Sequence, residues 1–192
     1  MSADAGGAAY ACFPRLGGAG VRLQLTPPVL EFTVGPKEGR LALADITAVT
    51  LRFLPAKFAN PSFEIELSGR DGTRLKTGSA SRISLTGVRD QGADYAAFVR
   101  ALHGALAAAG SRASFIGGYA PWRFALMVAV GLAALAGLAM VLGFALREQQ
   151  WSVALFLAAM GAFVVWPTAQ MIWRNRPVRY TPDAIPSHLL PA

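Results

Sequence analysis

The residues that could catalyse a reaction or bind a metal are few in this sequence. It contains two histidines, His103 and His188, and one cysteine, Cys12. A metal site needs several His, Cys, Asp or Glu side chains that converge on one ion. A single cysteine forms neither an internal disulfide nor a multi-thiolate site. The sequence therefore predicts no catalytic residue, no cofactor-binding residue and no metal ligand.

Each histidine has a structural explanation. His103 follows Val99 by four residues, at the margin of the apolar face of a predicted helix, and no carboxylate, thiol or second histidine lies three or four residues from it. His188 lies in a proline-rich tail. We expect both side chains to be structural or solvated.

One pair of carboxylates has a spacing that acid–base catalysis could use. Glu64 and Glu66 are two residues apart on a predicted strand, so they share a face. A solvated outer face is the explanation that the alternating pattern favours.

Two further candidates have no catalytic role. Asp71 is predicted to be a turn residue. The glycine-rich stretch 17–20 neither follows a predicted strand nor precedes a helix, so no phosphate site is expected there. The chain is therefore not expected to be an enzyme.

The composition points to a membrane rather than to a soluble enzyme. Of 192 residues, 54% are hydrophobic and 15% are charged, with a mean hydropathy of +0.40. Soluble domains carry about 25% charged residues. Disordered chains combine low hydrophobicity with high charge, so wholesale disorder is excluded.

The apolar excess lies in two uncharged runs, Phe124–Leu146 and Trp151–Trp173. A helix of the first run's length would reach about 35 Å, and a bilayer core is about 30 Å thick. We predict transmembrane helices over 122–146 and 151–173, joined by a turn at 147–150. Three tryptophans sit at run ends, where an indole can lie at headgroup level: Trp122, Trp151 and Trp173.

The arginines near the two runs predict their orientation. Arg147 stands in the connecting turn, against five arginines on the other side: Arg112, Arg123, Arg174, Arg176 and Arg179. Basic residues favour the cytoplasmic side, and the N-terminus lacks the pattern of a signal peptide. We therefore expect a membrane protein with two spans and both termini in the cytoplasm.

Small residues at four-residue spacing predict how the two spans pack. Close backbone approach drives helix association in lipid, so we expect two small-residue stripes to face each other: Ala129, Ala133 and Gly137 in the first span, with Ala154, Ala158, Gly161 and Ala162 in the second. Because alanine is abundant throughout the chain, a chance spacing is the alternative.

The remainder of the chain predicts a small β domain at 21–110. Short alternating segments are followed by an amphipathic helix over about 93–109, whose apolar residues recur at helical spacing: Tyr95, Phe98, Val99, Leu102 and Leu106. Residues 1–20 are expected to be disordered, with a short strand near Tyr10–Phe13 as the alternative. Residues 111–121 are expected to be a linker and 174–192 a basic cytoplasmic tail.

Together these elements predict an α+β membrane protein. A small β-barrel or curved sheet, capped by the C-terminal helix of that domain, precedes a two-helix transmembrane hairpin.

Several local features resemble the bacterial pleckstrin-homology-like domain. Leu43–Ile46 leads into a strand, Asp71-Gly72 closes a hairpin, and the closing helix starts near Tyr95. The resemblance covers 21–110 and implies a pleckstrin-homology-like fold attached to a membrane anchor. The whole chain also resembles two-span membrane proteins of GC-rich proteobacteria, which close with stretches like Arg174–Pro177 and Ile185–Pro191. This resemblance implies a location in the bacterial inner membrane, with the turn at 147–150 in the periplasm.

This resemblance does not imply recognition of phosphoinositides. Members that bind them carry clustered basic residues around the first strand–strand loop, and here that loop is Thr26-Pro27-Pro28. Residues 21–110 contain 11 basic and 8 acidic residues. Scattered charges of this kind favour only weak attraction to an anionic leaflet, about 1 kcal/mol per basic residue near the surface.

These features favour a membrane-tethered interaction or scaffold module whose partners are the lipid bilayer and a protein segment docked on a sheet edge or groove. Homo-oligomerisation stays open. The alternative is a small oligomeric channel or transport accessory subunit. Nucleic acid is not an expected partner, because much of the basic excess behind the pI of about 10.3 flanks the predicted spans.

Overall fold

The computed structural model describes residues 7–13, 20–55, 61–82 and 87–191. In these ranges the chain is α+β, with β-sheets and three α-helices. We call the strands together with helix α1 the β region, and the two long helices with their turn the hairpin.

The first sheet is an antiparallel meander of four strands within the described residues, in the order β1-β2-β3-β4. Residues of β2 alternate strictly between buried and exposed, as the sequence pattern predicts. The strands are β1 (Ala9–Cys12), β2 (Val21–Thr26), β3 (Val29–Val34) and β4 (Lys37–Ala42).

A second sheet follows a 3-10 turn at Leu43–Asp45. Over the described ranges its order is β11-β10-β5-β6-β7, with β10 parallel to β5 and the other neighbours antiparallel. The strands are β5 (Ile46–Leu54), β6 (Ser62–Gly69), β7 (Arg74–Gly78), β10 (Ser114–Gly117) and β11 (Val178–Arg179).

A short pair of strands, β8 (Ala80–Arg82) and β9 (Val88–Asp90), leads into α1 (Gly92–Ala108). The helix begins and ends one residue before the predicted bounds. It contributes to a core shared with both sheets, in which the largest fully buried side chains include Leu23, Phe53, Ile65, Tyr95, Phe98 and Leu102. The β region therefore has one hydrophobic core.

The hairpin consists of α2 (Pro121–Arg147) and α3 (Trp151–Arg174). Their most apolar windows have mean hydropathies of 2.5 and 1.8, and 0% and 11% of those windows is buried within the protein. Both helices are long and apolar enough to cross a membrane.

Strands also form in three segments outside the predicted β domain at 21–110. Ala9–Cys12 form β1 rather than disordered chain, in agreement with the alternative of a short strand near Tyr10–Phe13; residues 1–6 and 14–19 lie outside the described ranges. The expected linker contains β10, and the expected tail contains β11. Each strand is four residues or shorter, and β10 and β11 gain backbone partners more than 60 residues away in the chain, which local patterning does not reveal.

The two helices of the hairpin pack through only part of the predicted stripes, since Ala154 and Gly161 of α3 are buried. Ala129, Ala133, Ala158 and Ala162 are exposed. Contact instead follows two rows at seven-residue spacing: Phe124, Gly131, Leu138 and Ala145 on α2, and Ala154, Gly161 and Thr168 on α3. Leu138 lies on Gly161, and Ile172 lies on Gly131. A seven-residue repeat keeps one face towards the partner helix, so the alanines four residues apart point elsewhere.

Candidate functional site

The junction between the hairpin and the second sheet holds the first turn of α2 and the last turn of α3. Helix α2 begins four residues after β10, and α3 ends four residues before β11. Because β10 pairs with β5 and β11 pairs with β10, both helices are attached to neighbouring strands. The same end of the hairpin therefore carries the N-terminal and C-terminal connections.

Asn175 joins α3 directly to β5. Asn175 is fully buried. Its Oδ1 accepts a hydrogen bond from the Phe53 N–H at 2.9 Å, and its Nδ2 donates to the Phe53 carbonyl at 2.7 Å. Nδ2 also donates to the Met171 carbonyl, one turn back in α3, at 3.0 Å. The amide thus takes the place of a neighbouring strand at the point where β10 has ended.

Gly118 allows the backbones to approach at this junction. Its φ is +77°, and a Cβ there would overlap the carbonyl oxygens of Asn175 and Arg176. Its N–H donates to the Leu51 carbonyl at 2.8 Å, and the next residue, Tyr119, donates to the Asn175 carbonyl at 3.1 Å. Glycine is therefore required at this position for the helices to meet the sheet.

The segment after α3 packs onto the β region. Leu189 is fully buried and lies against Gly117, and the Tyr180 ring stacks on His103 and contacts Phe115 at a tilted angle. The expected basic tail at 174–192 is thus part of the folded structure between Asn175 and Pro191. The apolar residues of this segment are the only sequence feature that indicates burial, but their contacts depend on tertiary packing and could not be predicted.

His103 is a structural residue in this packing. It is 1% exposed, its Nδ1 donates to the Val99 carbonyl at 2.7 Å, and its Nε2 accepts from the Tyr180 hydroxyl at 3.0 Å. Burial lowers the pKa of His103, partly opposed by the hydrogen bond to Val99. The imidazole is therefore neutral near pH 7, a state in which Nδ1–H donates to Val99 and Nε2 accepts from Tyr180.

Arginines collect where the hairpin meets the β region. The Arg174 guanidinium lies 4.5 Å from the centre of the Phe53 ring, and the Arg123 guanidinium 5.1 Å from the Trp122 ring. Within the described part of the chain, neither these residues nor Arg176 form an ion pair with a carboxylate. Burial, with the charges of Arg176 and Arg174, lowers the pKa of His188. This end of the hairpin is therefore positively charged.

Glu64 and Glu66 are engaged in ion pairs rather than free for acid–base chemistry. Arg52 Nη1 lies 2.7 Å from Glu66 Oε2 and 3.5 Å from Glu64 Oε1, and Lys76 Nζ lies 3.0 Å from Glu64 Oε2. The two carboxylate side chains are 12% and 24% exposed, so the solvated face expected from the alternation is largely covered. The arrangement is a charge ladder across β5, β6 and β7.

The other candidates from the sequence also have structural roles. Cys12 is buried, with its Sγ 2.8 Å from Thr77 Oγ1 on β7. Asp71 accepts hydrogen bonds from the backbone and side chain of Thr73, which lower its pKa. Of the stretch 17–20, residues 17–19 lie outside the described ranges. The described residues contain no group of three or more His, Cys, Asp or Glu side chains that could hold a metal ion.

A shallow polar groove lies on the outward face of the first sheet. It has a volume of about 330 Å³ and is lined by Arg22, Gln24, Glu31, Phe32, Thr33, Glu38, Gly39 and Arg40. Glu31 Oε1 and Arg40 Nε are 2.9 Å apart, and the Phe32 ring covers Gly39. The groove borders β4, which within the described ranges pairs with β3 alone. An edge strand beside a groove of mixed charge suits an extended peptide.

The chain matches no protein-family model, no curated protein and no solved structure. Its function is therefore inferred from the geometry of its own residues.

Proposed function

We propose that this chain is a membrane-tethered interaction module. The hairpin crosses the bacterial inner membrane twice, and the β region lies against its cytoplasmic face and holds a protein partner. At 27 and 24 residues, the helices reach about 40 and 36 Å, enough for a hydrocarbon core of about 30 Å. Large exposed apolar side chains along both helices, among them Leu126, Leu132, Phe144, Leu155, Phe156 and Phe163, favour a lipid environment.

The observation that carries this proposal is the attachment of Asn175 to Phe53. A flexible linker would let a tethered domain rotate freely, whereas two buried hydrogen bonds between the Asn175 amide and the Phe53 backbone hold the end of α3 against the sheet. Such a connection gives the β region a set orientation relative to the bilayer. Fixed presentation of a binding surface is useful to a scaffold and adds nothing to a simple anchor.

Two further features support the orientation and the fold. The five arginines on the β-region side of the helices, against Arg147 in the turn, favour a cytoplasmic β region. The two sheets, followed by a helix packed into their shared core, support a pleckstrin-homology-like fold. The loop at 26–28 has no basic residue, so the ligand of this domain is proposed to be a protein segment rather than a phosphoinositide.

The docking surface is proposed to be the polar groove with the free edge of β4. Lys37, Glu38 and Arg40 discourage indiscriminate strand pairing at this edge, since exposed charges protect edge strands. A partner of complementary charge pattern would add a strand beside β4 and place its side chains in the groove.

Site-specific photocrosslinking in intact cells tests this function. A photoreactive residue at Glu38 should capture a specific protein, whereas one at Gln149, in the turn at the far end of the hairpin, should not. Exchanging the charges of Glu31 and Arg40, which line the groove, should abolish the product if the groove recognises its partner by charge. Equal capture from both sites, or capture insensitive to the exchange, would contradict the proposal.

A further inference from the structure

One face of the hairpin carries an apolar groove between α2 and α3. Its volume is about 640 Å³, within the range of about 300–1,000 Å³ that is typical of ligand sites. Gly131 and Gly161 lie in it, and its walls include Leu132, Leu135 and Val164. Thr168 supplies a hydroxyl, but that hydroxyl already donates to the Val164 carbonyl at 2.8 Å. The groove therefore offers dispersion contacts to an apolar ligand.

The groove occupies half of the hairpin rather than its whole length. On α2 it runs from Phe124, in the first turn, to Leu138; on α3 it runs from Met160 to Trp173. Fourteen residues of helix span about 21 Å, and one leaflet contributes about 15 Å of hydrocarbon. The groove thus begins in the leaflet next to the β region and extends about 6 Å past the bilayer midplane.

A positive charge stands at the end of the groove that adjoins the β region. Arg176 lines this end, and Arg174 and Arg123 lie at the same level of the hairpin. Within the described residues no carboxylate pairs with any of the three. Arginine binds phosphate oxygens through its planar fork of donors, and basic pockets between transmembrane helices bind acidic lipid headgroups.

We propose that this groove binds one anionic phospholipid, with an acyl chain between α2 and α3 and the phosphate on Arg176. The inference rests on the proposed function, because it requires that the hairpin cross a bilayer. Charge complementarity selects this occupant: a transmembrane helix of a partner or of a second copy would fill the apolar part of the groove but leave Arg176 unpaired. The bound lipid would brace the hairpin one residue from Asn175.

Native mass spectrometry of the full chain tests the proposal. The protein is purified in detergent and titrated with phosphatidylglycerol or with phosphatidylcholine. One phosphatidylglycerol should bind with a preference of about fivefold or more, the factor expected for one basic residue near an anionic headgroup. Arg176→Gln should bring the two lipids close to parity, whereas Arg179→Gln, a basic residue outside the groove lining, should keep the preference.

A second pair of variants tests the apolar part of the site. Ala134 lines the groove and Ala133 is an exposed neighbour that does not. Ala134→Trp should fill the groove and remove most lipid binding, while Ala133→Trp should leave it unchanged. Equal binding of the two lipids by the unmodified chain, or equal loss in both tryptophan variants, would overturn the site. An Ala134→Cys variant that forms a disulfide between two copies of the chain would also overturn the site, because a second copy would then occupy the groove.

Extraction of membranes with alkaline carbonate separates the two levels of the inference. If the chain stays in the membrane but binds both lipids equally, the lipid site is wrong and the tethered module stands. If carbonate releases the chain, the membrane proposal fails and the lipid site fails with it.

Discussion

Asn175 is the residue on which the attachment of the hairpin depends most. Replacing it with alanine removes three hydrogen bonds and leaves the N–H and carbonyl of Phe53 buried without partners. An unpaired buried backbone group costs about 1–3 kcal/mol, so Asn175→Ala should destabilise the fold by several kcal/mol. Thermal unfolding of the full chain in detergent measures this.

Gln150→Ala is the control for Asn175→Ala, because it removes an exposed amide at the other end of α3. Its melting temperature should stay close to that of the unmodified chain. Equal melting temperatures for the two variants would show that Asn175 does not hold the junction.

The two histidines predict that acid destabilises the folded chain. Burial lowers the pKa of His103 and of His188 below their ordinary value of 6.5. As the pH falls through about 6.5, the unfolded chain takes up protons that the folded chain does not, so the free energy of unfolding falls. The loss continues until the pH reaches the lowered pKa values of the folded state.

Melting temperatures between pH 8 and pH 5 check this expectation. They should be level above pH 7 and fall below about pH 6.5. His103→Gln should weaken this fall, because glutamine does not titrate. A stability that rises on acidification would contradict the assignment of a neutral, buried His103.

At the scale of elements, the sequence predicted the parts whose pattern is local. The alternation in β2 and β6, the period of α1 and the lengths of the two apolar helices all follow from neighbouring residues. Strands β10 and β11 could not be predicted from neighbouring residues, since Ser114–Gly117 and Val178–Arg179 are short and pair with residues distant in sequence. Asn175 was missed for the same reason: its role depends on Phe53, 122 residues away.

Gly118 connects β10 to α2 and should not tolerate a side chain. Gly118→Ala adds a Cβ that overlaps the carbonyl oxygens of Asn175 and Arg176, in addition to the strain of a positive φ. Gly110→Ala is the matched control, because Gly110 also has a positive φ, of +60°, but a Cβ there meets nothing within 4 Å. The control should lose about 1 kcal/mol.

Hydrogen exchange across Leu51–Leu54 and Val178–Arg179 distinguishes the two glycine variants. Gly118→Ala should increase exchange in both segments, while Gly110→Ala should not. Equal exchange in the two variants would show that the approach of Gly118 to Asn175 is not required.

The packing of α2 on α3 gives a second pair of glycines with opposite expectations. Gly161→Leu would collide with Leu138, whereas a Cβ at Gly137 meets nothing within 4 Å. Gly161→Leu should therefore lower the free energy of unfolding of the hairpin by about 1–3 kcal/mol, the range for overpacked cores. Thermal unfolding in detergent measures this loss. Gly137→Leu should have little effect, contrary to the stripe that the sequence spacing suggested.

At the scale of the whole molecule, the chain combines two regions with opposite surface chemistry. The β region encloses one hydrophobic core, while the hairpin exposes large apolar side chains along most of its length. Since Asn175 and Gly118 join the regions at one end, a membrane around the hairpin would place both chain termini on the same side. The proposed recruitment of a partner and the proposed lipid site both depend on this arrangement.

Cysteine accessibility in intact cells tests that arrangement most directly. In a Cys12→Ser background, single cysteines at Gln149 and at Arg179 are treated with a maleimide that does not cross the inner membrane. We expect labelling at position 149 from the periplasm, and labelling at 179 only after the membrane is permeabilised. Labelling of both positions from the same side would contradict a hairpin that crosses the membrane twice.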